Sequence, residues 1–216
     1  LPLRFLTNTT TKTAGEVAAK LDRLGFDIRG DQIFSAVTAT RDFLRARSNG
    51  GVSPSVHLLV RQSVMAEFAG IRHASLETGE GVPDYVVVGD IGAAWSYALL
   101  NTVFNELMQG AQLVAMHRNK YWQTEEGLRM DIGAFVAGLE YVTGRQATVI
   151  GKPSGDFFQL AVRSLNLPPE SVAMVGDDIE TDVGGGQAAG LMGVLVRTGK
   201  YRPQAAAQSQ VKPDAE

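Results

Sequence analysis

Short apolar runs that stop at polar side chains are the places in this chain where phosphate and a hard cation could be handled. The clearest is residues 172–182, Val-Ala-Met-Val-Gly-Asp-Asp-Ile-Glu-Thr-Asp. It reads as a buried strand that ends in a glycine and a cluster of carboxylates. Mg2+ takes one or two carboxylates together with water and phosphate oxygens, and ligands of open α/β sheets settle beyond the carboxyl ends of the strands. Asp177 and Asp182 are therefore the acids to follow. A competing reading has them simply opening the next helix, where negative side chains suit the positive end of the dipole.

Further strand ends add to this. Leu3-Arg-Phe-Leu runs into Thr7-Asn8-Thr9-Thr10, and Thr13 and Glu16 are then spaced as a capping box for a helix. Such a strand-to-helix junction suits a phosphate. Far downstream, Ala147-Thr-Val-Ile-Gly-Lys-Pro-Ser154 is a second apolar run that ends at Gly151 and Lys152. A lysine there can neutralise phosphate as a mobile point charge. Singly, Thr and Asn are common helix caps and a loop lysine is commonly just solvated. Hydroxyl, lysine and carboxylates in this order are far more specific.

Thr7-Asn8-Thr9-Thr10, Gly151-Lys152-Pro153 and Gly176-Asp177 through Asp182 resemble the second, third and fourth motifs of the haloacid dehalogenase superfamily of phosphohydrolases. The resemblance covers nearly the whole chain. It points to the class IIA, nitrophenylphosphatase-like branch and, within it, to the group around the phospholysine phosphohistidine inorganic pyrophosphate phosphatases. What it implies is an α/β fold with a Rossmann-like parallel-sheet core and an inserted α/β cap. The core would comprise residues 1–50 and 147–216, and a C2-type cap residues 51–146.

The resemblance also implies roles. Asp177 would bind Mg2+, and Asp182 would support that site through water or hold its loop. Lys152 would balance the charge of phosphate and nucleophile, while Thr7 and the backbone N–H of Asn8 would hold phosphoryl oxygens. Family members begin with a strand ending in Asp-x-Asp-Gly, which supplies nucleophile and general acid. No Asp-x-Asp occurs here. The expectation is a phosphatase fragment without its nucleophile strand, inactive alone, whose parent hydrolyses a small phosphorylated substrate through an aspartyl-phosphate. The alternative is a non-catalytic pseudophosphatase used as a binding module. A receiver-like phosphoacceptor is disfavoured, because the long insertion between Thr7 and Lys152 has no place in so compact a fold.

The elements that must position these residues alternate as in a parallel α/β sheet. The patterning predicts a helix over 14–24, a strand over 33–37, a helix over 38–47 and a turn-rich linker over Ser48–Ser55. Strands at 56–60, 85–88 and 113–116 and helices at 96–109 and 132–143 follow. His117 to Gly127 breaks the apolar pattern and reads as a loop, with Asn119, Tyr121 and Trp122 as candidate substrate contacts by analogy with the family's cap. His117 itself reads as structural. Asp84 to Asp90 repeats the strand-then-acid pattern, but its position in the cap assigns Asp90 no metal.

Composition is that of an ordinary globular protein, with 216 residues, 44% hydrophobic and 20% charged. A net charge of -3 offers no argument for nucleic acid or an anionic membrane. Zero cysteines leave no disulfide or thiolate chemistry in these residues. The tail from Tyr201 dissolves into Gln, Ala and Pro and reads as poorly ordered. The expected setting is the cytoplasm, with a small phosphorylated substrate as partner and a homodimer through the cap.

Overall fold

Thr13 starts the first helix with a reciprocal pair of bonds. The Glu16 N–H donates to Thr13 Oγ1 at 3.1 Å, and the Thr13 N–H donates to Glu16 Oε2 at 2.7 Å. The computed structural model describes residues 1–48 and 51–216. Asn49 and Gly50, inside the expected linker, lie outside the described residues. The strands are β1 (Phe5–Thr7), β2 (Ile33–Ser35), β3 (Ser55–Leu59), β4 (Arg72–His73), β5 (Tyr85–Val88) and β6 (Gln112–Ala115). They continue with β7 (Tyr121–Thr124), β8 (Gly127–Met130), β9 (Thr148–Val149), β10 (Ala173–Gly176) and β11 (Met192–Leu195). The α-helices are α1 (Ala14–Arg23), α2 (Ala36–Arg45), α3 (Gln62–Met65), α4 (Tyr97–Met108), α5 (Gly133–Thr143), α6 (Gly155–Leu165), α7 (Gly185–Ala188) and α8 (Pro203–Gln208).

A five-stranded parallel sheet, ordered β4-β3-β5-β6-β9, is the largest layer. Side chains alternate across it, so Val86 and Val88 join Val103, Leu107, Val136 and Leu139 of α4 and α5 on one face. Val87 and Val114 meet Val37 and Leu44 of α2 and Phe157 of α6 on the other. β9, just before Lys152, is an edge of this sheet. β1 pairs in parallel with β2, and β10 with β11, as two further two-stranded sheets. No ladder joins β1 to β10 among the described residues, and Val175 is 58% exposed.

Three segments depart from expectation. Ala36 and Val37 begin α2 rather than ending β2, because Ser35 caps that helix: its Oγ accepts the Thr38 N–H at 3.1 Å. Both residues are fully buried, and an apolar pair reads alike in a strand or on the inner face of a helix. The expected loop at 117–127 instead contains half of an antiparallel hairpin, with Tyr121 paired to Met130 and Thr124 to Gly127. Its sequence is polar because the hairpin is largely exposed. The tail is structured: Leu195 N–H donates to Ala215 O at 2.9 Å, and Gly193 N–H to Asp214 Oδ2 at 2.7 Å. Pro203 opens α8 at its first turn. Among the described residues, no helix is long and apolar enough to cross a membrane.

The glycines after Asp182 lie in helical backbone, a π-turn over Ile179–Gly184 followed by α7. Close packing explains them. A Cβ at Gly185 would lie 2.8 Å from Phe158 Cε2 and 3.0 Å from Pro153 Cα, and one at Gly186 would lie 2.8 Å from Met174 Cβ.

Candidate active site

Thr7, Asn8, Lys152, Asp177 and Asp182, far apart in sequence, line one cavity of about 710 Å³. All but Asp182, which lies in the helical turn Ile179–Gly184, stand at or shortly past a strand end: β1 delivers Thr7 and Asn8, β9 precedes Lys152 and β10 delivers Asp177. Thr7 Oγ1 donates to Thr9 Oγ1 at 2.9 Å and accepts the Thr9 N–H at 3.1 Å, which fixes the hydroxyl beside the cavity. Lys152 Nζ lies 2.7 Å from Asp182 Oδ1 and donates to Leu6 O at 3.2 Å.

Asp182, only 4% exposed, holds the loop that carries Asp177. Its Oδ2 accepts the N–H groups of Asp177 and Asp178 at 3.2 and 3.3 Å. Gly176 must lack a side chain, since a Cβ there would collide with Asp182. Asp178 caps the π-turn, its Oδ1 accepting from the Glu180 and Thr181 N–H groups. Asp177 Oδ2 accepts the Lys200 N–H at 2.7 Å, and Oδ1 accepts no hydrogen bond among the described residues.

This donor set bears on the expected cation. Asp182 Oδ2 accepts from backbone, and its buried Oδ1 faces the Lys152 ammonium at 2.7 Å as an ion pair without a well-formed hydrogen bond, so this carboxylate holds the loop beside the expected cation. Among the described residues, no three His, Cys, Asp or Glu side chains group as a metal site. Of the two acids expected to serve the cation, Asp177 has a carboxylate oxygen, Oδ1, that accepts no hydrogen bond among the described residues and could be offered as a direct ligand. Mg2+ tolerates that, since it keeps several waters and takes phosphate oxygens.

Removing Asp182 would strand a mostly buried ammonium and two N–H groups. Asp182→Ala is expected to destabilise the fold by about 3 kcal/mol or more, and Asp182→Asn by less, because the amide oxygen still accepts from the loop. Urea unfolding measures this. A loss below about 1 kcal/mol for Asp182→Ala would contradict it.

From the 51–146 segment, Asn119 and Trp122 line the same cavity, whereas Tyr121 is not among its lining residues. Adjacent residues of a strand point to opposite faces, so β7 presents one of the two aromatics. The same cavity takes in Arg61, Asp90, His117, Asp131 and Lys200, none of which the sequence reading placed in the site. Asp90 did show its strand-then-acid signal. Its Oδ2 lies 3.2 Å from Arg61, and its N–H donates to Thr10 Oγ1 at 3.1 Å. Lys200 follows the end of β11, but a lone loop lysine gives no warning.

His117 is 3% exposed and its Nδ1 accepts the Asn119 N–H at 3.3 Å. Burial, aided by the charges of Lys200 and Lys152, pushes its pKa down to about 3, with Asp90 opposing. Burial likewise raises the Asp131 carboxyl, against the Ile132 N–H and the charge of Lys200. The unfolded chain protonates His117 near 6.5 and the folded chain near 3, so this group costs stability as pH falls across that window and nothing above it. Asp131, with its raised folded value, acts in the opposite sense. His117→Gln is expected to flatten the acid limb of a stability-against-pH curve. An unchanged limb would contradict the buried neutral imidazole.

Known proteins match this chain along its length. A family model described as haloacid dehalogenase-like hydrolase matches residues 1–71, and one described as HAD-hydrolase-like matches residues 149–215. The haloacid dehalogenase-like hydrolase domain-containing protein 2 of Bos taurus is 39% identical over 211 residues, 98% of this chain and 76% of that protein. The phospholysine phosphohistidine inorganic pyrophosphate phosphatase of Danio rerio is 39% identical over 217 residues, 100% of this chain and 76% of that protein. Among solved structures, the p-nitrophenyl phosphatase from Archaeoglobus fulgidus superposes with a TM-score of 0.85 at 27% identity, covering 99% of this chain and 81% of its own. A glycerol phosphate phosphatase from Mycobacterium tuberculosis in complex with magnesium gives 0.83 at 28% identity, covering 98% and 63%.

Proposed function

Because the chain belongs to the haloacid dehalogenase-like hydrolase family, we propose that it carries the phosphate- and metal-handling side of a Mg2+-dependent phosphatase for a small phosphorylated substrate. The observation that carries this reading is the convergence of Thr7, Lys152 and Asp177 on one cavity. Relatives named as phosphatases support the reaction class, and a neighbour in complex with magnesium supports the cation. In this proposal residues 1–50 and 147–216 act as the hydrolase core and residues 51–146 as the cap.

Thr7 Oγ1 and the Asn8 N–H hold phosphoryl oxygens, and Lys152 offsets their charge from its place against Asp182. Asp177 offers Oδ1 to the cation, which when bound would neutralise charge on the transferring group. The attacking aspartate would come from an Asp-x-Asp-Gly strand that residues 1–216 do not contain. Covalent transfer through such a group divides one difficult displacement into two easier ones. Asn119 and Trp122 face the leaving group and set which one fits.

A panel of phosphomonoesters and phosphoramidates tests this, run on the chain extended at its N terminus by an apolar strand ending in Asp-x-Asp-Gly. Phosphate release should require Mg2+, stop with chelator and resume when Mg2+ is returned. Exchanging Asn119–Trp122 for a relative's segment should reorder the panel without removing metal dependence. Release that ignores chelation would overturn the metal assignment, and an unchanged order would remove the hairpin from recognition.

A further inference from the structure

The Asn8 backbone N–H suffices for the phosphate role given above, and the side chain is spent elsewhere. Asn8 Oδ1 accepts the Lys152 N–H at 2.9 Å, and Asn8 Nδ2 donates to Lys152 O at 3.0 Å. Lys152 lies in neither helix nor strand, so it has no ladder to occupy these groups. The amide, with one acceptor and two donors, meets both of them as a strand partner would. Nδ2 also lies 3.4 Å from Asn119 Oδ1, at the hairpin side of the cavity.

The neighbouring glycine fits this arrangement. A Cβ on Gly151 would sit 2.5 Å from Asn8 Oδ1 and 2.7 Å from Met116 O, so the residue before Lys152 must be bare for the amide to reach. The lysine's other end is tied to the same junction, through Nζ to Leu6 O at 3.2 Å and to Asp182 Oδ1 at 2.7 Å. Backbone and ammonium of Lys152 are thus both referenced to the end of β1.

We propose that the Asn8 side chain is the positioning residue for Lys152, clamping its backbone so that the ammonium is held ready beside the phosphate-binding end of β1. A long, flexible lysine is a useful point charge only if its base is fixed, because misplacement of about 1 Å in a charged group erodes much of its effect. The meaning given to Lys152 rests on the phosphatase reading; the clamp itself rests on geometry alone.

The test uses residues 1–216 with inorganic phosphate as probe, titrated by NMR, and amide hydrogen exchange at Lys152, each variant first checked for a cooperative melt. Asn8→Ala should speed exchange at the Lys152 amide and weaken phosphate binding about ten-fold, the size expected for losing well-formed hydrogen bonds. Asn8→Asp keeps the acceptor and should keep the amide protected. The double variant Asn8→Ala/Lys152→Ala should bind phosphate no more weakly than Lys152→Ala alone, since the two act through one group. Additive losses would overturn the proposal, as would unchanged Lys152 exchange in a folded Asn8→Ala. If the parent binds no phosphate yet the exchange pattern follows Asn8 as stated, the clamp stands and the phosphatase reading fails.

Discussion

Residues 1–216 alone are expected to release phosphate from an aryl phosphate no faster than Mg2+-containing buffer, and the strand-extended chain to do so about 10⁴-fold faster or more. The reason lies in what the cavity holds. Lys152, Thr7 and Asp177 can bind and neutralise, but the acids lining the cavity are each engaged elsewhere, Asp131 by accepting the Ile132 N–H at 2.8 Å. Asp182 is tied to Lys152 and to backbone, and Asp178 caps the π-turn. Asp177 accepts from Lys200, and Asp90 faces Arg61. Removal of a nucleophile from a preorganised site costs about 10⁴-fold or more in kcat, since the groups left behind bind and neutralise but offer no covalent path. Turnover by residues 1–216 that Asp177→Asn abolishes would require another nucleophile, and the account of the site would fall. Binding without turnover, persisting after the strand is supplied, would favour the non-catalytic module.

Much of this was legible in the sequence, for identifiable reasons. The capping box at Thr13 and Glu16, the strand Tyr85–Val88 and the helix between Ser96 and Gln109 follow from short-range chemistry and match closely. Thr7, Lys152 and Asp177 do line one cavity, although the strands that carry or precede them, β1, β9 and β10, belong to three separate sheets. What failed depended either on a local helix cap that apolar patterning does not weigh or on contacts between distant segments. Ala36 and Val37 are apolar in either structure, and only the Ser35 cap decides for helix. The tail looked weak until Asp214 and Ala215 found β11. His117, Asp131 and Lys200 entered the site through burial and proximity, which spacing does not encode.

Within the extended chain, Lys152→Ala is expected to lower kcat by about 10²- to 10³-fold, far more than it raises KM, the pattern of a group whose interaction strengthens in the transition state. Lys152 is well placed for that, anchored to Leu6 O and Asp182 and lining the same cavity as Thr7 and Asp177. Lys152→Arg should recover only part of the rate, because a guanidinium fork replaces a compact ammonium in a site shaped by two short contacts. Because Lys152→Ala also leaves Asp182 unpaired, rates belong below the temperature at which the variant begins to melt. A raised KM with unchanged kcat would make Lys152 a binding group only.

The most direct measurement is a crystal structure of residues 1–216 grown with tungstate as a phosphate mimic and Mn2+ in place of Mg2+, both located by anomalous scattering. Tungstate is expected within hydrogen-bonding distance of Thr7 Oγ1 and Lys152 Nζ, with the cation against the Asp177 carboxylate. Tungstate seated away from Thr7 and Lys152, or a cation held by Asp90 and Asp131 instead of Asp177, would contradict this placement.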